Sequence, residues 1–219
     1  MASRPKQATP RPAPRLYLVT PQIADPSAFS PHLDAALAGG DVAAILLRLA
    51  DSDEHTLINR AKALAAPVQN KGCALLLDGR AELVARAGAD GAHLTGITAF
   101  TDAIDQLKPE RIAGVGGVAT RHDAMLAAEQ GADYVMFGAP DAEGQRPGLP
   151  AITERVGWWA EIFEIPCVGY AASIDEIETL VAAGADFVAL SDALWRDTRA
   201  IAETMAAAAR YMRLSEPAA

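Results

Sequence analysis

The sequence predicts an α/β protein with a single domain, a closed (β/α)8 TIM barrel. Three observations carry this expectation. Eight short apolar runs alternate with eight longer amphipathic segments. The short runs are continuously apolar rather than alternating, as in a parallel sheet buried on both faces. The tripeptide Gly-Ala-Asp recurs at 88–90, 131–133 and 184–186, each time between a helix and the next strand, which points to repeated βα units. A doubly wound open sheet is the alternative that βα alternation alone leaves open.

RLYLVT (15–20) is the first strand, and the helix at 28–39 stops at Gly39-Gly40. AAILLRL (43–49) is the second strand, with a helix over 53–71. There Asp53 is placed as N-cap, and Leu57, Ala61, Leu64 and Ala65 form an apolar stripe. CALLLD (73–78) precedes a short helix at 80–87, and GAHL (91–94) precedes a helix at 99–107. RIAGVG (111–116) leads to a helix at 121–130, where Thr120 and Asp123 have capping-box spacing. YVMFG (134–138) is followed by a helix near 150–163, and PCVGY (166–170) by one at 173–183. FVALS (187–191) is the eighth strand, with a last helix from about 196 to 213. The domain is thus expected over 15–213, between a Pro-rich disordered leader (1–14) and a frayed tail (214–219).

The formal charge of −9 disfavours nucleic acid or an anionic membrane as partner, while leaving room for a phosphate held by local arginines and backbone amides. The leader lacks the apolar region of a signal peptide, and no run approaches a membrane span, so a cytoplasmic protein is expected. Cys73 and Cys167 both lie in apolar runs and read as buried thiols.

In a barrel, chemistry sits on the residues that follow each strand. Arg48 interrupts an apolar strand, so it either contacts an anionic substrate group or pairs with Asp78 or Asp51. Asp78 could bind a cation, orient Arg48 or cap a helix, and Arg80 follows it. His93 is either an acid/base or substrate contact, or a structural histidine. Gly116 and Gly117 belong to a glycine-rich loop able to cradle phosphate on backbone N–H groups. His122 reads as a first-turn residue. The loop at 137–148 holds Gly138, Asp141, Glu143 and Arg146, and is either a lid or a solvated charged loop. Ser191 and Asp192 follow the eighth strand, where the carboxylate would repel phosphate. Trp158, Trp159 and Phe163 are core or a dimer face.

The segments LYLVT, AAILLRLA, LLLDGRAELVARAGADGAHLTG, GADYVMFG, IPCVGY and AGADFVALSDAL resemble the thiamine phosphate synthase/TenI family from about Leu16 to Leu194. The resemblance implies an enzyme joining hydroxymethylpyrimidine diphosphate to thiazole phosphate with release of pyrophosphate, aided by Mg²⁺. It implies Arg48, Arg146 and His93 as catalytic residues. Taken with the reading of the strand ends, it gives Arg48, Asp78, Arg80, Gly116, Gly117, Gly138, Arg146 and Ser191 as expected substrate contacts, and the resemblance implies a homodimer as the assembly.

Departures from the family pattern accompany these matches. Of its Gln-x-Arg-x-Lys motif only Arg48 survives, within Leu46 to Ala50. Its two metal carboxylates fall on Gly79 and Thr98, leaving Asp78 as the candidate ligand. Its phosphate-contacting Lys falls on Arg146, its Gly-Gly pair on Ala171-Ala172, and its strand-eight Ser on Asp192. The catalytic His of TenI-type tautomerases falls on Ala139. A non-catalytic or regulatory ligand-binding barrel needing no cofactor, or an enzyme of altered chemistry, therefore stands as the alternative.

Overall fold

The computed structural model describes residues 12–141, 143–191, 194–195 and 198–214. Most of the expected leader, Asp192 and residues 215–219 of the expected tail lie outside them.

The elements follow in strict alternation. They are β1 (Arg15–Ile23), α1 (Pro26–Gly39), β2 (Val42–Leu49), α2 (Glu54–Gln69), β3 (Ala74–Asp78) and α3 (Val84–Ala87, after a 3-10 turn at Ala81–Leu83). Next come β4 (Gly91–Thr95), α4 (Ile97–Leu107), β5 (Ile112–Gly116), α5 (Arg121–Glu129), β6 (Tyr134–Phe137) and α6 (Leu149–Ile162). The chain then forms β7 (Cys167–Ala171), α7 (Ile177–Ala182, after a 3-10 turn at Ile174–Glu176), β8 (Phe187–Leu190) and α8 (Thr198–Leu214). Every strand is parallel to its neighbours, and β8 pairs with β1, so the sheet is closed. The open-sheet alternative is thereby excluded.

Local chemistry sets the helix starts. Asp25 accepts from the amides of Ser27 and Ala28 with Pro26 at the first helical position, so α1 begins two residues before the expected start. Asp53 caps α2 through Thr56, and Thr120 with Asp123 forms a complete capping box on α5. Gly39 serves close packing: a Cβ there would lie 2.6 Å from Met205 Cβ of α8. Strand β1 runs three residues beyond the expected end. Its ladder shifts register between Val19 and Gln22, around Pro21, which has no N–H. The buried Thr20 hydroxyl accepts from the Arg48 amide there, at 3.0 Å.

The core has two shells. Between sheet and helices lies a large aliphatic layer that includes Trp159, fully buried against Phe137 and stacked on Phe163. Trp159 is therefore core, and Trp158 packs on its edge with the Arg121 guanidinium over its ring. Inside the barrel, Tyr17, Val19, Ala44, Leu46, Leu76, Tyr134, Met136, Val168, Tyr170 and Ala189 fill the lumen. Among the described residues, no helix is long and apolar enough to cross a membrane.

The three Gly-Ala-Asp repeats work as clips at the end of the barrel opposite the mouth. The carboxylates of Asp90, Asp133 and Asp186 accept from the amides of Leu75, Ala113 and Cys167, at 2.7, 2.7 and 2.8 Å. The backbone N–H of each Asp donates to the carbonyl of the same residue. Both backbone groups near the start of β3, β5 and β7 are thus satisfied by the following unit. The amides belong to fully buried residues, and a buried donor left unmet costs about 1–3 kcal/mol. Replacing any of the three by Ala should lower unfolding stability by about that amount in urea titrations. A loss within experimental error at all three positions would refute the clip.

Candidate functional site

The C-terminal ends of the strands converge on a mouth, and beneath it the lumen holds a continuous polar chain. Tyr17 and Tyr134 hydroxyls are 2.8 Å apart, and the Tyr134 hydroxyl lies 2.9 Å from His93 Nδ1. The three groups come from β1, β6 and β4. Room for them comes from glycine. A Cβ on Gly114 would lie 2.0 Å from the Tyr134 ring, and one on Gly116 would lie 2.7 Å from His93 Nε2. Gly116 therefore makes space for the imidazole. Gly117 adopts φ +63°, conformationally suited to glycine, against Thr95.

His93 is buried, and burial lowers its pKa from 6.5 to about 4. It is a neutral imidazole at pH 7, with one ring nitrogen committed to Tyr134. That suits a hydrogen-bonding or positioning role better than general acid catalysis. Burial likewise pushes the hydroxyl pKa values of Tyr17 and Tyr134 upward, so neither supplies a phenolate.

At the rim, Arg48 Nε stands 3.6 Å from Asp78 Oδ2, a link between β2 and β3 with both side chains about one-third exposed. The Asp78 carboxyl is raised above its usual range by burial, opposed by the Arg48 charge. Arg80 reaches back to the exposed Asp51 at 3.0 Å, pairing with it rather than with Asp78. Arg146, from the β6–α6 loop, is mostly buried and donates through Nη1 to both Glu176 oxygens, at 3.1 and 3.0 Å. Its Nη2 donates to the Tyr170 carbonyl. Gly138 turns the chain at φ +90° where a Cβ would meet Ile152 of α6, and Ser191 is buried directly after β8.

The sequence-expected residues thus gather on one face, but they do not make one cluster. Arg48 and Asp78 meet as anticipated. Asp141 turns inward on its own loop, accepting from the amides of Glu143 and Gln145. Sequence reasoning missed Tyr17, Tyr134 and Glu176, while Thr20 stands where the strand-end reading places a site residue. The two tyrosines were detectable as polar tips inside apolar strands. Glu176 carried no local signal, since its partner lies 30 residues away.

Mg²⁺ needs several hard oxygen ligands in near-octahedral array. Here Asp78 stands beside a guanidinium, Gly79 and Thr98 offer no carboxylate, and no group of three His, Cys, Asp or Glu that could hold a metal occurs among the described residues. These residues do not fit a protein-held divalent cation.

Comparison with known proteins supplies a frame. Residues 16–194 match the family model described as thiamine monophosphate synthase. The chain is 40% identical over 202 residues to a thiamine-phosphate synthase of Rhodospirillum centenum, covering 91% of this chain and 98% of that one. It is 39% identical over 196 residues to the thiamine-phosphate synthase of Hyphomonas neptunium, covering 86% and 89%. Among solved structures, thiamine phosphate pyrophosphorylase from Pyrococcus furiosus superposes with a TM-score of 0.73 at 19% identity, covering 93% and 97%. That last likeness concerns the fold alone.

The lumen histidine generates a test. Its native pKa lies below the unfolded value, so the unfolded chain takes up the proton first as pH falls. The stability from keeping His93 neutral is full above pH 6.5 and is lost progressively between 6.5 and about 4. At about 1.4 kcal/mol per pH unit the loss is on the order of 3 kcal/mol. Urea titrations across that window should show a shallower pH slope in His93→Gln than in the parent. Equal slopes would remove His93 as its source.

Proposed function

The chain belongs to the thiamine monophosphate synthase family, and from that premise we propose that it joins a hydroxymethylpyrimidine diphosphate to a thiazole phosphate. In this step the pyrimidine CH2–O bond breaks, its electron pair leaves with pyrophosphate, and the thiazole nitrogen supplies the pair for the new C–N bond. The observation that carries the proposal is Arg48. It is a guanidinium in an otherwise apolar strand, at the mouth, on the position where the family pattern keeps its arginine.

Charge develops on the leaving pyrophosphate, so the useful protein group is a fixed cation aimed at it. Asp78 orients Arg48 across the β2–β3 junction. His93 acts as a neutral positioning group, locked by Tyr134. No side chain is required to take a proton from the thiazole nitrogen, which attacks as a lone pair. The protein-held share of pyrophosphate neutralisation falls to arginine, since the carboxylates of the family pattern are replaced by Gly79 and Thr98.

A second reading, a ligand-binding barrel without turnover, is favoured by those same two replacements and by the ion pairing of Arg48, Arg80 and Arg146. One assay separates the two. Purified protein mixed with both precursors and Mg²⁺ is expected to yield thiamine phosphate and pyrophosphate. Binding of a precursor without turnover would favour the second reading instead, and binding of neither would sink both. Where turnover occurs, Arg48→Ala should reduce kcat/KM by about ten- to a hundredfold, as loss of a charge-assisted contact worth about 1.5–3 kcal/mol. An unchanged value would remove Arg48 from the mechanism.

A further inference from the structure

We propose that Glu176 closes a phosphate subsite of this mouth from within, so that a phosphate-bearing ligand must displace its carboxylate. This rests on the reading that the mouth takes phosphorylated substrates, and it assigns that site a built-in competitor.

The argument starts from position. In parallel barrels the loops after the seventh and eighth strands commonly form the phosphate site. Here β7 ends at Ala171, and the next backbone amide, that of Ala172, points its donor at an oxygen. The acceptor is Glu176 Oε2, at 2.8 Å. The other donor on that carboxylate is the Arg146 guanidinium, which contacts both of its oxygens. A backbone N–H and a guanidinium are the donors that phosphate oxygens take. Glu176 thus holds, with its own two oxygens, a donor set suited to an anion at the place where this fold ordinarily receives one.

Burial adds weight. The Arg146 and Glu176 side chains are only 18% and 19% exposed, so their pairing is weakly screened and an approaching anion meets a neutralised arginine. Arg146 Nε is buried and has no acceptor among the described residues. The carboxylate leaves that third donor unmet. A phosphate offers more oxygens than a carboxylate and can serve a larger donor set. Arg146 also reaches the Tyr170 carbonyl, so it stays anchored beside β7 when its acidic partner swings away.

A purely structural latch between the β6–α6 loop and the β7–α7 loop would use the same pair. The two roles differ in what removing the negative charge does to anion affinity. In calorimetric titrations with inorganic phosphate, Glu176→Gln should bind at least about tenfold tighter than the parent chain. That gain should vanish in Glu176→Gln/Arg146→Gln. An affinity unchanged or weakened in the single variant, or a gain that survives loss of Arg146, would overturn the proposal. Glu176→Asp keeps the charge but shortens its reach, and serves in the same titration should the Gln chain fail to fold. Turnover of the two thiamine precursors is scored separately. Absent turnover with a tenfold gain in phosphate affinity counts against the synthase reading, and present turnover without the gain counts against Glu176 as competitor.

Discussion

The hydroxyl of Tyr134 is the contact on which the barrel interior depends. It joins Tyr17 on β1 to His93 on β4 from a position on β6. Closing eight parallel strands leaves a lumen that side chains must fill, and a polar atom there is costly unless it is paired. Tyrosine answers the volume requirement with its ring and the polar requirement with its partners. The ring fits only because Gly114 on the neighbouring β5 has no Cβ, and the imidazole only because Gly116 has none. One consequence reaches the mouth directly. His93 is held by Tyr134 and kept neutral by burial, so its behaviour toward a ligand is set by the packing of the lumen rather than by the rim.

The rim is governed by a different balance. Arg48, Arg80 and Arg146 each face a carboxylate supplied by a neighbouring or adjacent unit: Asp78, Asp51 and Glu176. Such pairs reduce the desolvation problem of a partly buried cation. They also mean that the mouth presents little uncompensated positive charge, although the residue types look basic in sequence. On the proposed reading, an anion entering there would exchange partners with a resident carboxylate. The exposed Arg80–Asp51 pair costs little to open, whereas the mostly buried Arg146–Glu176 pair also binds a backbone amide and two loops. On the proposed reading, affinity for phosphate would be decided mainly at Glu176 and at the Arg48–Asp78 link.

The architecture was legible in the sequence because its signals are local and repeated. Continuous apolar runs marked all eight strands, and Asp53 and Thr120 were read correctly as caps from their spacing alone. The Gly-Ala-Asp repeat points to repeated βα units, and in each of them the Asp clips the neighbouring strand. Less was legible where contacts are remote. Nothing near Gly116 in sequence shows that His93 lies over it, and the glycine-rich loop reads equally as a phosphate cradle. Nothing near Arg146 shows Glu176. The extension of β1 past Thr20 was hidden by Pro21, because a side-chain hydroxyl replaces the ladder acceptor there.

The same division explains how a mouth can drift while its barrel holds. Strand pairing, the lumen chain and the aspartate clips use residues at or below the strand ends. Gly79 lies just beyond β3 at φ +66°, with open space around its Cβ position. Thr98 sits in the first turn of α4, outside the barrel core. Neither position takes part in the clips or the lumen packing, so exchanging a carboxylate for Gly or Thr there costs the fold little. Arg48 is different. Its backbone amide is held by Thr20 at the β1 irregularity and its side chain by Asp78. Sheet geometry thus holds the backbone that carries this guanidinium, and this is a physical reason for an arginine to persist at the mouth when the surrounding ligands do not.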